Sequence, residues 1–233
     1  MNFSRRTPDD LSPNPLTEAV ERLGAASVIN LTESNPTRCG FNYPSDLLRG
    51  LEGPGALGYE PEPFGDRKAR ETLARFLAAQ GEAVDPDHIL LTASTSEAYS
   101  YLFKLFADPG DAFLVPTPGY PLLEHLAALE GVRALPYRLK AEPQWPLDFD
   151  SLSGLKDPRV KGLITIQPHN PTGSLLSLPD QNRLETLCRQ NQWAVISDEV
   201  FQDYVTDRSR GSWVPPGVLS FRLGGLSKSL ALP

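Results

Sequence analysis

The feature that most limits the fold of this chain is a series of short apolar runs separated by stretches of helical periodicity. Six runs have the length of a β-strand: 88–92, 112–116, 132–139, 161–167, 193–197 and 218–223. Helical spacing of apolar residues occurs at 64–80, 95–106 and 179–190. Because strand and helix alternate, and because runs such as 163–166 are largely apolar at consecutive positions, we predict an α/β fold. Its mainly parallel sheet is expected to be flanked by helices on both faces.

Composition narrows the possible classes of protein. The first 44 residues are rich in Pro, Asn, Ser and Thr, so we predict an arm and loops over 1–44 and one large domain over 45–233. A net charge of -7 disfavours a nucleic-acid partner. No signal peptide is recognisable, and no run approaches the ~20 apolar residues of a membrane helix. Two cysteines, Cys39 and Cys188, are too few for a disulfide scaffold or a thiolate metal cluster and favour a reducing cytoplasm.

Ligands of parallel sheets bind beyond the carboxyl ends of the strands, so the residues after each run are the candidates for chemistry. After the first run, Ser94, Thr95 and Ser96 begin a helix, where N–H groups and hydroxyls favour an anion. An ordinary helix cap is the alternative. After the second run, Tyr120 could stack on a flat ligand or simply pack at a helix start.

Three further strand ends carry polar side chains of other kinds. Asn170 follows the fourth run and could be part of an ordinary Asn-Pro turn. Asp198 follows an apolar run, so its carboxylate needs a cationic or hydrogen-bonding partner, or caps the next turn. Lys228 lies among glycines and serines and could be a nucleophile or a solvated loop lysine.

The motifs HNPTG at 169–173, SDE at 197–199 and GGLSK at 224–228, each after a predicted strand, together resemble those of the class I/II aminotransferases. These are pyridoxal-phosphate-dependent enzymes of fold type I. The spacing of 28 residues from Asn170 to Asp198, and of 30 from Asp198 to Lys228, is similar to that family. The resemblance covers the chain from about residue 30 onward. It implies an N-terminal arm and small-domain segment over 1–44 and the pyridoxal-phosphate-binding large domain of fold type I over 45–233.

The resemblance implies roles for the three strand-end residues. Lys228 corresponds to the lysine that forms the Schiff base with the cofactor and then moves a proton at the substrate α-carbon. Asp198 corresponds to the carboxylate that keeps the ring nitrogen protonated, and Asn170 to the partner of the ring 3-oxygen. We therefore expect these three residues to be catalytic.

Further cofactor contacts are implied in the same way. Ser94, Thr95 and Ser96 correspond to the phosphate loop, and Tyr120 to the aromatic residue that stacks on the ring. Gly225 occupies the place where many relatives have another phosphate-binding serine.

The resemblance also implies a partner subunit and a substrate contact. Tyr59 is similar to the tyrosine that reaches the phosphate of the neighbouring subunit's cofactor, which implies a homodimer; a core or loop tyrosine is the alternative. The segment 31–36 resembles the one that lies over the substrate, where a backbone N–H near Ser34 would meet the substrate carboxylate. His169 and Glu199 belong to the motifs but have no assigned role.

The sequence departs from the family pattern in two places. Phe201 stands where the family usually has a tyrosine that donates to the ring 3-oxygen, so we predict a raised pKa for the Schiff base. In the family an arginine, an antiparallel strand and a small C-terminal domain follow the lysine. We therefore expect this chain to be a fragment, truncated after Lys228, with the small domain missing.

The expected function is transfer of an α-amino group from an amino acid to a 2-oxo acid by a ping-pong mechanism. Another pyridoxal-phosphate reaction on the same fold, such as that of a C–S lyase or a decarboxylase, is a second possibility. A third is an effector-binding module without turnover, as in some transcription regulators. It is disfavoured because the similarity begins near residue 30 and leaves little room for a DNA-binding domain before it.

Overall fold

The computed structural model describes residues 4, 6–7, 10–24, 27–155, 157–206 and 212–232 of the 233-residue chain. Its contacts divide the chain into two compact units, Asn42–Ala98 and the combination of Met1–Phe41 with Tyr99–Pro233. The predicted boundary after residue 44 stays a prediction. The elements are α1 (Pro15–Leu23), α2 (Arg67–Ala79), α3 (Thr95–Phe106), β1 (Ala112–Thr117), α4 (Leu122–Leu129), β2 (Arg133–Arg138), α5 (Phe149–Ser153), β3 (Val160–Ile166), α6 (Leu178–Asn191), β4 (Ala194–Asp198), β5 (Ser220–Leu223) and α7 (Leu226–Ser229).

The five strands form one parallel sheet in the order β2-β1-β3-β4-β5. The predicted α/β fold with a parallel sheet is thereby confirmed, and five of the six predicted runs are strands. Ile166 of β3 lies opposite Asp198 of β4, and Asp198 lies opposite Leu223 of β5. This register brings the carboxyl ends of three neighbouring strands to the same level.

The predicted strand over 88–92 is wrong. Residues Pro86–His88 form a 3-10 turn, and 89–92 have no strand assignment. Ile89 is buried with extended backbone, whereas Leu90 and Leu91 are exposed. An extended run becomes a strand only where a neighbouring strand takes up its backbone groups, and none does so within the described ranges. Apolar sequence therefore predicted an extended segment here but not its pairing.

Helix starts follow from their caps. α2 begins three residues later than the periodicity predicts, because the Asp66 carboxylate accepts a hydrogen bond from the Ala69 N–H at 2.7 Å. The predicted arm over 1–44 contains a helix that the sequence reasoning did not specify: α1 begins after Asn14, whose side chain caps Thr17, with Pro15 in its first turn. No side chain of α1 is buried.

No helix in the described part of the chain is long and apolar enough to cross a membrane.

The core lies on both faces of the sheet. On one face Leu114 and Val195 join a buried cluster with Leu184 of α6. Successive strand residues point to opposite faces, so Phe113 lies on the other face, where its ring is 5.2 Å from that of Phe103 in α3. At Gly162 of β3 an added Cβ would lie 2.4 Å from the Phe113 ring, so this position in the sheet accepts only glycine.

The unit Asn42–Ala98 is organised around Arg70 of α2, which is buried. Its guanidinium donates to the carbonyl oxygens of Gly65 and Pro86, each at 2.9 Å. It also forms ion pairs with Glu62 and Asp87 at 3.5 Å. Because an arginine is buried only when its donors are satisfied, these contacts explain how α2 is joined to the Pro86–His88 turn.

Candidate active site

The predicted catalytic residues lie at one edge of the sheet. Asn170 is in the loop after β3, Asp198 ends β4, and Lys228 is in α7, which follows β5. Backbone pairing continues to the strand ends, because the Gln167 N–H donates to the Asp198 carbonyl and the Glu199 N–H to the Leu223 carbonyl, both at 2.8 Å. The structure thus brings an amide, a carboxylate and an amine to the ends of adjacent strands.

Asp198 is buried at this edge, with 8% exposure. The Tyr99 hydroxyl donates to its Oδ2 at 2.8 Å, and the Val200 N–H donates to its Oδ1 at 3.2 Å. Burial raises the pKa of Asp198, and the hydrogen bonds from Tyr99 and Val200 oppose this change. A buried carboxylate of this kind suits a ligand atom that brings a proton or a positive charge.

Tyr99 is a residue that the sequence reasoning missed. Burial, followed by the nearby Asp198 charge, raises the pKa of Tyr99 well above its usual value, so the phenol keeps its proton and acts as a donor. It lies on the buried face of α3 together with Leu102 and Phe103. That spacing is indistinguishable from ordinary core packing, and no sequence signal separated the hydroxyl from the ring that carries it.

Lys228 is held at both its backbone and its amine. The Tyr204 hydroxyl donates to the Lys228 carbonyl at 2.7 Å. The Lys228 Nζ donates to the Ser34 carbonyl oxygen at 2.9 Å and lies 5.5 Å from the centre of the Phe201 ring. The structure therefore joins two predicted site residues, Ser34 and Lys228, that lie 194 residues apart. Substrate binding by the N–H near Ser34 stays a prediction.

The Asn170 loop is closed by hydrogen bonds. The His169 N–H donates to the Ser174 carbonyl at 2.8 Å, and the His169 Nδ1 is 2.9 Å from the Thr172 hydroxyl oxygen. Gly173 has a φ of 71°, a conformation that favours glycine and completes the turn. Asn170 itself is half-buried. The loop is thus a defined turn, as an Asn-Pro-Thr-Gly sequence requires, and its contact with a ring oxygen stays a prediction.

His169 is a buried base beside this loop, with 6% exposure. Burial lowers its pKa to about 4, while the carbonyl of Pro118 acts weakly in the opposite direction. The imidazole is therefore neutral near pH 7.

Glu199 has a structural part at the same edge. Its Oε1 accepts hydrogen bonds from the hydroxyls of Ser197 at 2.8 Å and Ser212 at 2.7 Å. Its Oε2 forms an ion pair with Arg222 of β5 at 3.5 Å. Glu199 thereby fixes β5 and the segment around Ser212 to the end of β4, next to Asp198.

Tyr120 lies after β1 beside a cavity of about 180 Å³, which Thr117 and Glu124 also line. The turn before it requires Gly119, because an added Cβ would lie 2.1 Å from the Pro116 carbonyl oxygen. Tyr120 is 40% exposed, so part of its ring is open to a ligand. Its stacking on a cofactor stays a prediction.

Two predicted cofactor contacts lie in the unit Asn42–Ala98. Ser94 accepts the Glu97 N–H at 3.2 Å, and the Glu97 carboxylate accepts the Ala93 N–H at 2.6 Å, which together cap α3. Ser94 therefore caps α3, as the alternative interpretation of its position expects. Phosphate binding by Ser94, Thr95 and Ser96 stays a prediction. Tyr59 is 90% exposed, and its contact with the phosphate of a partner subunit's cofactor stays a prediction.

Gly225 precedes α7 and has room for a Cβ atom. An added Cβ would meet Val200 no closer than 3.5 Å, an ordinary contact. A side chain could therefore be placed here without steric conflict.

Among the described residues no group of three or more His, Cys, Asp or Glu side chains could hold a metal ion.

A parallel sheet with an amine, a buried carboxylate and an amide at the ends of adjacent strands defines the large domain of a fold type I enzyme. The family model for aminotransferase class I and II matches residues 48–233, and the chain belongs to this family. The sequence resemblance is thereby confirmed.

Individual relatives agree with this assignment. The chain is 26% identical over 245 residues to tyrosine aminotransferase of Mus musculus, covering 97% of this chain and 53% of that protein. It is 28% identical over 210 residues to glutamate-pyruvate aminotransferase of Escherichia coli, covering 87% and 51%. The crystal structure of an aminotransferase from Escherichia coli superposes with a TM-score of 0.81 at 26% identity, covering 99% of this chain and 59% of that one. The chain thus spans about half the length of the curated relatives it matches.

Proposed function

We propose that the protein containing this chain is a pyridoxal-phosphate-dependent aminotransferase that moves an α-amino group from an amino acid to a 2-oxo acid by a ping-pong mechanism. The strand register supports this most strongly. Asp198 lies opposite Leu223, and Lys228 follows five residues after Leu223, so the amine and the buried carboxylate lie at the ends of neighbouring strands. The matching relatives act on tyrosine or on glutamate and pyruvate by name, and these compounds are the first substrates to test.

The residues present fit the proposed cofactor. An aldehyde needs a primary amine, which Lys228 supplies, and a protonated ring nitrogen needs an anionic acceptor shielded from water, which Asp198 supplies. When bound, pyridoxal phosphate supplies an electron sink for the charge that develops at the substrate α-carbon. The cavity beside Tyr120 lies at the carboxyl end of β1, the end of the sheet at which Asp198 also lies.

Each side chain has a defined part in this proposal. The Lys228 amine would hold the cofactor covalently and would move a proton at the substrate α-carbon. The Asp198 carboxylate would hold a proton on the ring nitrogen, and the Asn170 amide would donate to the ring 3-oxygen. Tyr120 would orient the ring by stacking.

Phosphate binding is assigned to the start of α3. The hydroxyls of Ser94, Thr95 and Ser96, with the N–H groups there, suit an anion because the helix dipole is positive at its N-terminus. The backbone at Gly225, which precedes α7, is proposed as a further contact.

The test is to mix the full-length protein with pyridoxal phosphate, record the visible absorbance, reduce with borohydride and map the labelled residue by mass spectrometry. We expect a long-wavelength band and a label at Lys228, both lost in Lys228→Ala. Lys68→Ala, at an exposed position of α2, is the matched control and should keep both. A folded full-length protein without band or label would refute the proposal.

A second measurement separates the reactions possible on this fold. Incubation of ¹⁵N-labelled amino acids with 2-oxo acids should transfer the label to the acceptor and produce a new amino acid. Release of ammonia would indicate a lyase instead, and release of carbon dioxide a decarboxylase. A bound cofactor without any of these products would favour the effector-binding module.

We also propose a homodimer with shared sites in the cytoplasm. The 90% exposure of Tyr59 is compatible with a ring that reaches a partner, and Cys39 and Cys188 are both free thiols. Mixing Tyr59→Phe subunits with Lys228→Ala subunits tests the sharing. A hybrid dimer has one site with both wild-type residues only if Tyr59 acts across the interface, so activity should rise on mixing. If Tyr59 acts within its own subunit, mixing should restore nothing.

A further inference from the structure

We propose that Tyr99 is a positioning residue for Asp198: its hydroxyl keeps the carboxylate ionised and oriented so that the carboxylate can hold a proton on the cofactor ring nitrogen. This inference rests on the proposed function and deepens it. It assigns a role to a tyrosine in the first turns of α3 that belongs to none of the three motifs around Asn170, Asp198 and Lys228.

The geometry fixes the hydroxyl in place. Tyr99 is 1% exposed, and its ring stacks on Phe103 at 6.0 Å, while Phe103 in turn contacts Phe113 of β1 at 5.2 Å. The ring therefore cannot move without disturbing the contact between α3 and the sheet. The O–H is directed at Asp198 Oδ2 at 2.8 Å, within the range of a good hydrogen bond to a carboxylate.

The two carboxylate oxygens of Asp198 have different partners. Oδ2 receives the Tyr99 hydroxyl, and Oδ1 receives the Val200 N–H at 3.2 Å. Because donors bind both oxygens, the plane of the carboxylate is fixed. Each oxygen of a carboxylate has about two acceptor positions, so one position on each remains for a ligand N–H.

The hydrogen bond matters because burial alone acts against the ionised form. A carboxylate in this position is driven by desolvation towards the neutral acid, and Tyr99 opposes this as the larger of the two hydrogen-bond contributions. A neutral acid would itself be a donor and could not hold a proton on the ring nitrogen. Within the described residues, the other titratable groups that act on Tyr99 are the phenols Tyr137 and Tyr120.

The chain offers a matched control in Tyr137. This tyrosine is 2% exposed, and its hydroxyl donates at 2.9 Å to the Ile164 carbonyl, a neutral acceptor. Tyr99→Phe and Tyr137→Phe therefore each remove one buried hydroxyl and keep the ring, but only the first removes a donor to Asp198. A purely structural role for Tyr99 predicts the same behaviour for both variants.

The experiment uses the full-length protein without cofactor and with ¹³C-labelled aspartate carboxyls, in which Asp198→Asn assigns the Asp198 signal. We expect Tyr99→Phe to raise the pH midpoint of that signal by about one unit or more, since hydrogen bonds to charged groups are worth about 1.5 kcal/mol or more. Tyr137→Phe should leave the midpoint unchanged. An unchanged midpoint in Tyr99→Phe would overturn the inference.

A second substitution gives the opposite shift and does not depend on loss of the hydroxyl. 3-Fluorotyrosine placed at position 99 has a more acidic phenol and is a stronger donor, so it should lower the Asp198 midpoint. If Tyr99→Phe does not fold, this variant decides the question. The absence of a downward shift would count against a role for Tyr99.

Cofactor binding then connects the titration to function. With ¹⁵N-labelled pyridoxal phosphate, Tyr99→Phe should lose part of the protonated ring-nitrogen signal and bind about tenfold more weakly, while Tyr137→Phe should match the wild type. If the Asp198 midpoint moves but the ring-nitrogen signal does not, the positioning role is wrong. If the wild type binds no cofactor at Lys228, the proposed function fails, and the titration of the cofactor-free protein still reports on Tyr99.

Discussion

His169 makes the stability of the fold depend on pH in a predictable direction. The imidazole is buried beside the Asn170 loop, and burial lowers its pKa to about 4 from an ordinary value of 6.5. Between these two pH values the unfolded chain binds a proton that the folded chain excludes. The stabilisation is therefore fully present above pH 6.5 and is lost as the pH falls towards 4.

The size of the effect follows from the two pKa values. Between pH 7.5 and pH 5 the proton linkage of a single site with pKa values of about 4 and 6.5 amounts to about 2 kcal/mol. Replacing His169 with asparagine removes this titration and allows an amide group to bond to Thr172 in place of Nδ1. The variant is expected to be less stable at pH 7.5, because it leaves a small cavity, but to lose about 2 kcal/mol less than the wild type on acidification.

The assay is urea unfolding of the full-length protein at pH 7.5 and pH 5 for the wild type, His169→Asn and His125→Asn. His125 is exposed, so the last variant removes a histidine without removing a buried side chain. Only His169→Asn should show a smaller loss between the two pH values. Equal losses in all three proteins, or an NMR titration of His169 with a midpoint near 6.5, would refute the reasoning.

Three other substitutions test the site and the sheet. Gly225→Ser should fit, because its Cβ meets only ordinary contacts. The added hydroxyl donor should tighten pyridoxal phosphate binding about tenfold in an absorbance titration. Weaker binding would contradict this prediction. Phe201→Tyr should add a donor to the ring 3-oxygen. The pH midpoint of the visible absorbance of the bound cofactor should therefore fall by about one unit. An unchanged midpoint would show that position 201 does not reach that oxygen. Gly162→Ala should destabilise the fold by roughly 3 kcal/mol in urea unfolding, because its Cβ would lie 2.4 Å from a phenyl ring. Gly50→Ala, with open space around it, should not destabilise the fold. Equal stability of the two variants would contradict the packing argument.

The parts of the fold that the sequence predicted are those that local pattern determines. Continuous apolar runs predicted the five strands, because a strand covered on both faces has no polar side. The position of each motif after a predicted parallel strand predicted that Asn170, Asp198 and Lys228 would lie at one edge of the sheet, because the carboxyl ends of parallel neighbours lie there. Each run and each motif lies within a few consecutive residues.

The predictions that were wrong or absent concern contacts between distant parts of the chain. Residues 88–92 have the apolar pattern of a strand, but pairing depends on a neighbour that no local window reveals. The donation from Tyr99 to Asp198 joins positions 99 residues apart, and the helical spacing of Tyr99 indicated only core packing. The bond from Lys228 to the Ser34 carbonyl involves a backbone atom, which carries no side-chain signature at all.

The strand register also determines where this chain can change in length. Asp198 is the last residue of a five-residue strand whose partners are Ile166 on one side and Leu223 on the other. One residue inserted within β4 would turn the Asp198 side chain to the opposite face of the sheet and away from Tyr99. Insertions in the β3–β4 and β4–β5 connections that lie away from the strand ends, the Asn170 turn and α6 leave the register intact. We therefore expect natural insertions, and engineered tags or inserted domains, to be tolerated in these connections. We do not expect insertions within β4 to be tolerated.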